Sequence, residues 1–239
     1  MRAYLFAAAS CAVLLLGPAA HAADSGPSDD PLEAVNRPLL EGNLWLSENI
    51  ASPVGKAYRY VIPGFLRTGV HNVLQTVGKP VVFGNDILQG EFTRAGETLA
   101  RTTVNATLGL GGMIDVATTM GISDHDEDFG QTLAVWGFGE GPYLVLPFFG
   151  PSNLRDSFGR VGDYFADPVI YAHFNYENLA KDSQVGFDIA NGQENRDAII
   201  SASDFALDRY AFIRSAYRQH RAAEIRNGAD DIPPQDGEN

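Results

Sequence analysis

The sequence predicts an all-α fold, and three observations carry that expectation. Alternating β-branched runs bounded by turns are nearly absent. Apolar residues recur at helical spacing in several stretches. The segment from Phe129 to Asn153 is apolar and carries a single charge, Glu140, yet five glycines and three prolines interrupt it. A transmembrane helix needs about 20 unbroken apolar residues. Pro142 and Pro147 each remove a backbone donor and clash with the preceding turn, which excludes a simple span.

Residues 1–22 read as a cleavable signal peptide. Arg2 supplies the positive start, Ala3 to Leu16 is uncharged and largely apolar, and Ala20-His21-Ala22 offers small residues for cleavage. Cys11 is the only cysteine and lies inside the apolar region, with Leu14-Leu15-Leu16 after it. The expected mature chain therefore keeps no thiol and no lipid-modified cysteine. Residues 23–30 and 227–239 are small, polar and acidic, as disordered ends are. The folded part runs over residues 31–226.

Within it, Phe92, Ala95, Leu99 and Ala106 repeat at helix-face intervals, and Gly109, Gly111 and Gly112 end the pattern. Ser152 or Asn153 caps a short helix that continues toward Tyr164 and stops at Asp167-Pro168. Tyr176 to Ile189 reads as another helix. Asp204 starts the clearest one, with Phe205, Tyr210, Ile213 and Tyr217 near one face, running to about Arg226 before Gly228.

A formal net charge of −13 makes the chain a poor partner for nucleic acid and leaves little bulk attraction to anionic lipid. The acidic run Asp124 to Asp128 has alternate carboxylates, but Gly130 comes one place late for a calcium loop and Val135 stands where a bidentate glutamate belongs. It reads as a solvated turn. The histidines are dispersed, no G-x-S-x-G elbow or phosphate-cradling loop is present, and nothing calls for a metal, a cofactor or a catalytic group. Arg214, Arg218 and Arg221 fall at i, i+4 and i+7 on one helix face, which suits either phosphate oxygens or a solvated face near a helix C-terminus.

Three blocks resemble one family: DPLEAVNRPLL at 30–40, NDILQGEFTRAGETLARTTVNATLGLGGMIDVA at 85–117 and EDFGQTLAVWGFGEGPYLVLPFFGPSNLRD at 127–156. They resemble the MlaA (VacJ) family, and DFALDRYAFIRSAYRQHRA near the end does so more weakly. The resemblance implies a ring-like single domain of amphipathic helices with an apolar Gly/Pro-rich hairpin, seated in the inner leaflet of the Gram-negative outer membrane. Such a protein withdraws phospholipids misplaced in the outer leaflet through a channel, associates with a trimeric porin and passes lipid to a soluble periplasmic carrier. No enzymatic step is involved.

In that setting Tyr143, Leu144, Val145, Leu146, Phe148 and Phe149 are the expected lipid-channel hairpin, although each side chain fits an ordinary core equally well. Arg155, Arg214 and Arg218 are the expected phosphate contacts. The sequence departs from the family's usual pattern in two places. Cys11 leaves with the signal peptide, whereas members are usually lipoproteins, and Glu41 and Gly42 stand where members are often more aromatic. A soluble periplasmic lipid-binding or scaffold protein is the alternative reading.

Overall fold

The computed structural model describes residues 30–168 and 200–227. The signal-peptide region, residues 23–29, the expected helix from Tyr176 to Ile189 and residues 228–239 lie outside the described residues.

Helix α1 (Glu33–Leu46) passes through one π-helical stretch (Ser47–Ala51) into α2 (Ser52–Val61). Pro53 is the second residue of α2, directly after the π-helical stretch. Ile62 and Pro63 are extended and turn the chain into the long α3 (Gly64–Gln89), which ends on Gly90 at φ 82. Helix α4 (Phe92–Thr107) packs back along α3, and a glycine-rich loop leads to the single turn α5 (Val116–Thr119). Asp128 caps α6 (Phe129–Val135) by accepting from Gln131 N–H.

Next come two antiparallel strands, β1 (Tyr143–Leu146) and β2 (Gly150–Asn153), paired Tyr143↔Asn153 through Leu146↔Gly150. Asn153 then caps α7 (Leu154–Ala166), accepting from Asp156 N–H at 2.7 Å. Gly159 of α7 crosses Gly130 of α6 so closely that a Cβ at position 159 would lie 2.4 Å from the Gly130 nitrogen. Helix α8 (Arg209–Ile225) is capped by Asp208.

The architecture is mostly helical, as expected, with differences in detail. The apolar stretch contains a short β-hairpin, because β1 fits between Pro142 and Pro147 and leaves neither proline inside the ladder. The last helix starts at Arg209 rather than Asp204. Asp208 out-competes Asp204 as its cap because its carboxylate accepts from both Tyr210 and Ala211 N–H. Phe205 lies before that helix and is exposed. Asp30, assigned to the leader by composition, is buried and marks the start of the folded part.

One apolar cluster is made by Leu40 and Leu44 of α1, Tyr143 and Val145 of β1, and Tyr210 and Ile213 of α8. Elsewhere the helices turn polar stripes inward. Helix α4 buries Ala95, Thr98, Arg101 and Asn105, while Phe92 (70% exposed) and Leu99 (55%) face out. Helix α7 buries Arg155, Asp156 and Gly159 and exposes Leu154, Phe158, Val161 and Phe165 at i, i+4, i+7 and i+11. The Phe92, Leu99 and Ala106 spacing is thus a true helix face that points outward; the buried stripe of α4 is the polar one.

Candidate functional site

The candidate site is the hairpin and the elements that hold it. Along β1 burial alternates, so Tyr143 and Val145 enter the core while Leu144 and Leu146 are half-buried on the other face. At the tip Phe148 and Phe149 are exposed, and Phe148 adopts φ 69, a left-handed conformation costly for a side chain with a Cβ. The six residues singled out from sequence therefore split into a root and a tip.

Two asparagines of α1, seven residues apart, grip the hairpin backbone. Asn36 Nδ2 donates to the Tyr143 carbonyl at 2.9 Å, and its Oδ1 accepts from Val145 N–H at 2.9 Å. Asn43 Nδ2 donates to the Leu146 carbonyl at 2.9 Å, and its Oδ1 accepts from Phe148 N–H at 2.8 Å. Each amide supplies one donor and one acceptor to an edge that β2 does not satisfy. Neither asparagine stood out in the sequence, because a side-chain amide has no pattern of its own.

Behind the hairpin, the Tyr143 ring stands edge-on to Tyr210, with centroids 6.0 Å apart. Burial, then the nearby Asp30 charge, pushes the Tyr143 phenol well above its ordinary range. Tyr210 donates its hydroxyl proton to Asp30. At the hairpin's end, Asp156 collects Tyr217 Oη at 2.6 Å, Arg221 Nε at 2.8 Å and Arg155 Nε at 3.0 Å. Burial would raise this carboxyl, but the bonds from Arg221 and Tyr217 outweigh it and hold Asp156 below the usual carboxylate range. Arg221 also grips Asp128, at 2.6 and 2.7 Å, tying α8 to the start of α6.

The three expected phosphate contacts already have acidic neighbours. Arg155 is buried against Asp156 at 2.9 Å. Arg214 faces Asp30 at 3.5 Å, and Arg218 faces Glu140 at 3.5 Å. With Arg221, this face of α8 is a row of arginines that each face a carboxylate, the Arg218–Glu140 pair remaining partly open to solvent.

In the acidic run 124–128, Asp124 and Asp126 stay exposed, as a solvated turn requires, while Glu127 is buried and the run is tied to the helices by ion pairs. Lys79, itself buried, binds Asp124 at 2.8 Å and Asp126 at 3.1 Å, and Arg94 binds the buried Glu127 at 2.7 Å. His125 Nε2 lies 3.0 Å from the fully buried Asp86. Burial raises Glu127 above its usual range despite Gln89 and Arg94. The burial of Glu127 was not legible because its partners Gln89 and Arg94 stand more than 30 residues away in sequence.

The family model described as "MlaA lipoprotein" matches residues 28–224. The "Intermembrane phospholipid transport system lipoprotein MlaA" of Escherichia coli K12 is 32% identical over 100% of this chain and 94% of its own length. An uncharacterized protein of Rickettsia bellii is 32% identical over 82% of this chain and 77% of its own. A solved chain from "Structural basis for maintenance of bacterial outer membrane lipid asymmetry" superposes with a TM-score of 0.70 at 30% identity, covering 82% of this chain and 98% of that one.

Proposed function

Because the chain belongs to the MlaA family, we propose that it is a component of intermembrane phospholipid transport that maintains outer-membrane lipid asymmetry by removing phospholipid from the outer leaflet. It works at the periplasmic side of that membrane, with its helices set around a lipid path, beside a porin trimer and upstream of a periplasmic carrier.

One observation supports this reading above the others, the inverted faces of α4 and α7. Water favours polar groups outside and apolar groups within. Here Thr98, Arg101, Asn105, Arg155 and Asp156 are buried while Phe92, Leu99, Phe158 and Phe165 are exposed. Exposed apolar area on this scale calls for an apolar neighbour. No helix among the described residues is long and apolar enough to cross a membrane, so the outward faces suit helices lying in one leaflet with their polar stripes turned to the protein's interior.

The hairpin then has a role that needs no bond to be made or broken. Tyr143 and Val145 root it in the core, and Leu144, Leu146, Phe148 and Phe149 offer acyl chains an apolar border. Broken backbone at membrane depth is tolerable where protein packs against it, and the two asparagine grips satisfy the exposed strand edge. The experiment is extraction of the native protein from outer membrane with mild detergent, followed by mass spectrometry of what comes with it. Phospholipid and a porin are expected; recovery in the soluble periplasmic fraction with neither contradicts the reading.

A further inference from the structure

From Asn49 to Asn85 the chain contains no aspartate or glutamate, in a protein with 30 acids against 17 lysines and arginines. The cations of this stretch are Lys56 and Arg59 on α2, and Arg67 and Lys79 on α3. Lys79 is neutralised by Asp124 and Asp126. Lys56, Arg59 and Arg67 make no ion pair among the described residues, whereas Arg37, Arg94, Arg101, Arg155, Arg209 and Arg221 each bind a carboxylate within 3.1 Å.

The three flank the turn through Ile62 and Pro63, two on the helix before it and one on the helix after it. Lys56, Arg59 and Tyr60 share a face of α2 by their i, i+3, i+4 spacing. Arg67 lies in the first turn of α3 with its guanidinium near Gly64, and its buried Nε has no hydrogen-bond partner. Arg59 suits the C-terminal end of α2, but Arg67 opposes the dipole of the helix that carries it. A cation with no ion pair among the described residues, set against a helix dipole, is suited to an anion from outside the chain.

The same corner carries a strongly exposed apolar set: Tyr60 (93%), Val61 and Phe65 (75%), with Leu66 and Val70 beside them. Cations that reach up from an apolar, aromatic base are what a bilayer interface accommodates, with rings at headgroup level and charged tips on phosphate oxygens.

We propose that the α2–α3 corner is a membrane-surface anchor, in which Tyr60, Val61 and Phe65 enter the acyl boundary while Lys56, Arg59 and Arg67 hold the headgroup phosphates of anionic phospholipid. The proposal rests on the reading that this chain works at a bilayer. It adds a fixed headgroup contact, separate from the hairpin past which lipid moves, and a means of holding an unacylated chain on the leaflet.

The test is flotation of the full mature chain with phosphatidylcholine vesicles, with and without 30% phosphatidylglycerol, at low and high salt. Wild type is expected to prefer the anionic vesicles and to lose that preference in high salt. Lys56→Gln/Arg59→Gln/Arg67→Gln should weaken binding to them on the order of a hundredfold, at roughly fivefold per cation. The charge-keeping Lys56→Arg/Arg59→Lys/Arg67→Lys should bind as wild type does. Arg37→Gln/Arg209→Gln, which removes two cations paired elsewhere, should change little.

A triple glutamine variant that binds as wild type does, or an equal loss in the Arg37/Arg209 control, overturns the anchor while leaving the transport reading standing. Wild type that floats with neither vesicle overturns both. Should the triple variant lose helical circular dichroism, the exposed Lys56→Gln alone must still show its fivefold loss, and an unchanged affinity overturns the anchor.

Discussion

Asn36 and Val145, more than a hundred residues apart in sequence, are joined by a buried hydrogen bond in which Val145 N–H donates to Asn36 Oδ1 at 2.9 Å. The same amide donates to the Tyr143 carbonyl on the other side. Asn36→Ala leaves a buried donor and acceptor unsatisfied, at about 1 to 3 kcal/mol each. The Asn43 grip is only partly buried and its bond from Phe148 N–H is exposed, so water can substitute there and Asn43→Ala should cost less than Asn36→Ala. Denaturant unfolding should separate the two variants. Hydrogen exchange should show the Phe148 amide released in Asn43→Ala while that of Val145 stays protected.

Phe148→Gly should raise stability by about 1 kcal/mol, since glycine adopts φ 69 without the penalty of a Cβ. It should lower transport, because an apolar tip side chain is lost. Thermal unfolding together with an assay of surface-exposed phospholipid reads both. A gain in stability with undiminished transport would show that the Phe148 ring is dispensable.

Arg221 joins α8 to Asp156 and Asp128, and its removal leaves the buried Asp156 short of its main partner. Arg221→Met is expected to cost about 3 to 5 kcal/mol, measured by denaturant titration. Arg37→Met at the exposed pair with Asp208 should cost less than about 1 kcal/mol.

Acid should act in two stages. Glu127 and Asp163 are raised chiefly by burial, so their folded-state penalty disappears as they take up protons above the ordinary carboxylate range near 4, and stability there is flat or slightly rising on acidification. Asp156 is held below its ordinary value, and Asp208 is lowered to about 2, first by its hydrogen bond from Arg37. Their contributions are complete above the unfolded pKa near 4 and are lost as pH falls through the folded values. Unfolding midpoints across pH 2 to 7 should therefore drop only below about 4. Asp156→Asn should be less stable at neutrality and show a shallower acid fall.

Much of the fold was legible because caps and spacing act locally: Asn153 before α7, the Gly109–Gly112 break after α4, and Tyr210 with Ile213 on the inner face of α8. The direction of a helix face was not legible. Phe92 and Leu99 mark an apolar stripe equally well whether it faces inward or outward, and only the burial of Thr98, Arg101 and Asn105 shows that it faces outward. The hairpin was visible as punctuation, but its grips come from Asn36 and Asn43, far upstream. For the expected phosphate arginines, sequence could not show that each already faces a carboxylate.

The name of the Escherichia coli relative carries the word lipoprotein, whereas the apolar run here continues past Cys11 to Leu16 and small residues follow. The mature protein is expected to begin near Ala23 without an acyl group. Intact-mass measurement of the exported protein checks this, and an acylated chain beginning at Cys11 contradicts it.

The central claim is tested most directly by the amount of phospholipid exposed on the cell surface when this protein is deleted and then restored. Removing residues 141–149 outright would also remove Tyr143 and Val145 from the core, so the informative variant is Phe148→Asp/Phe149→Asp at the exposed tip. A charge near the apolar interior of a bilayer costs on the order of 2.5 to 3.5 kcal/mol, while a charge at an exposed tip leaves the helices folded. Surface phospholipid should rise on deletion, return to normal with wild type and stay high with the double aspartate variant at equal protein level. Unchanged surface phospholipid on deletion would contradict the transport function, and full restoration by the double variant would contradict the hairpin as its site.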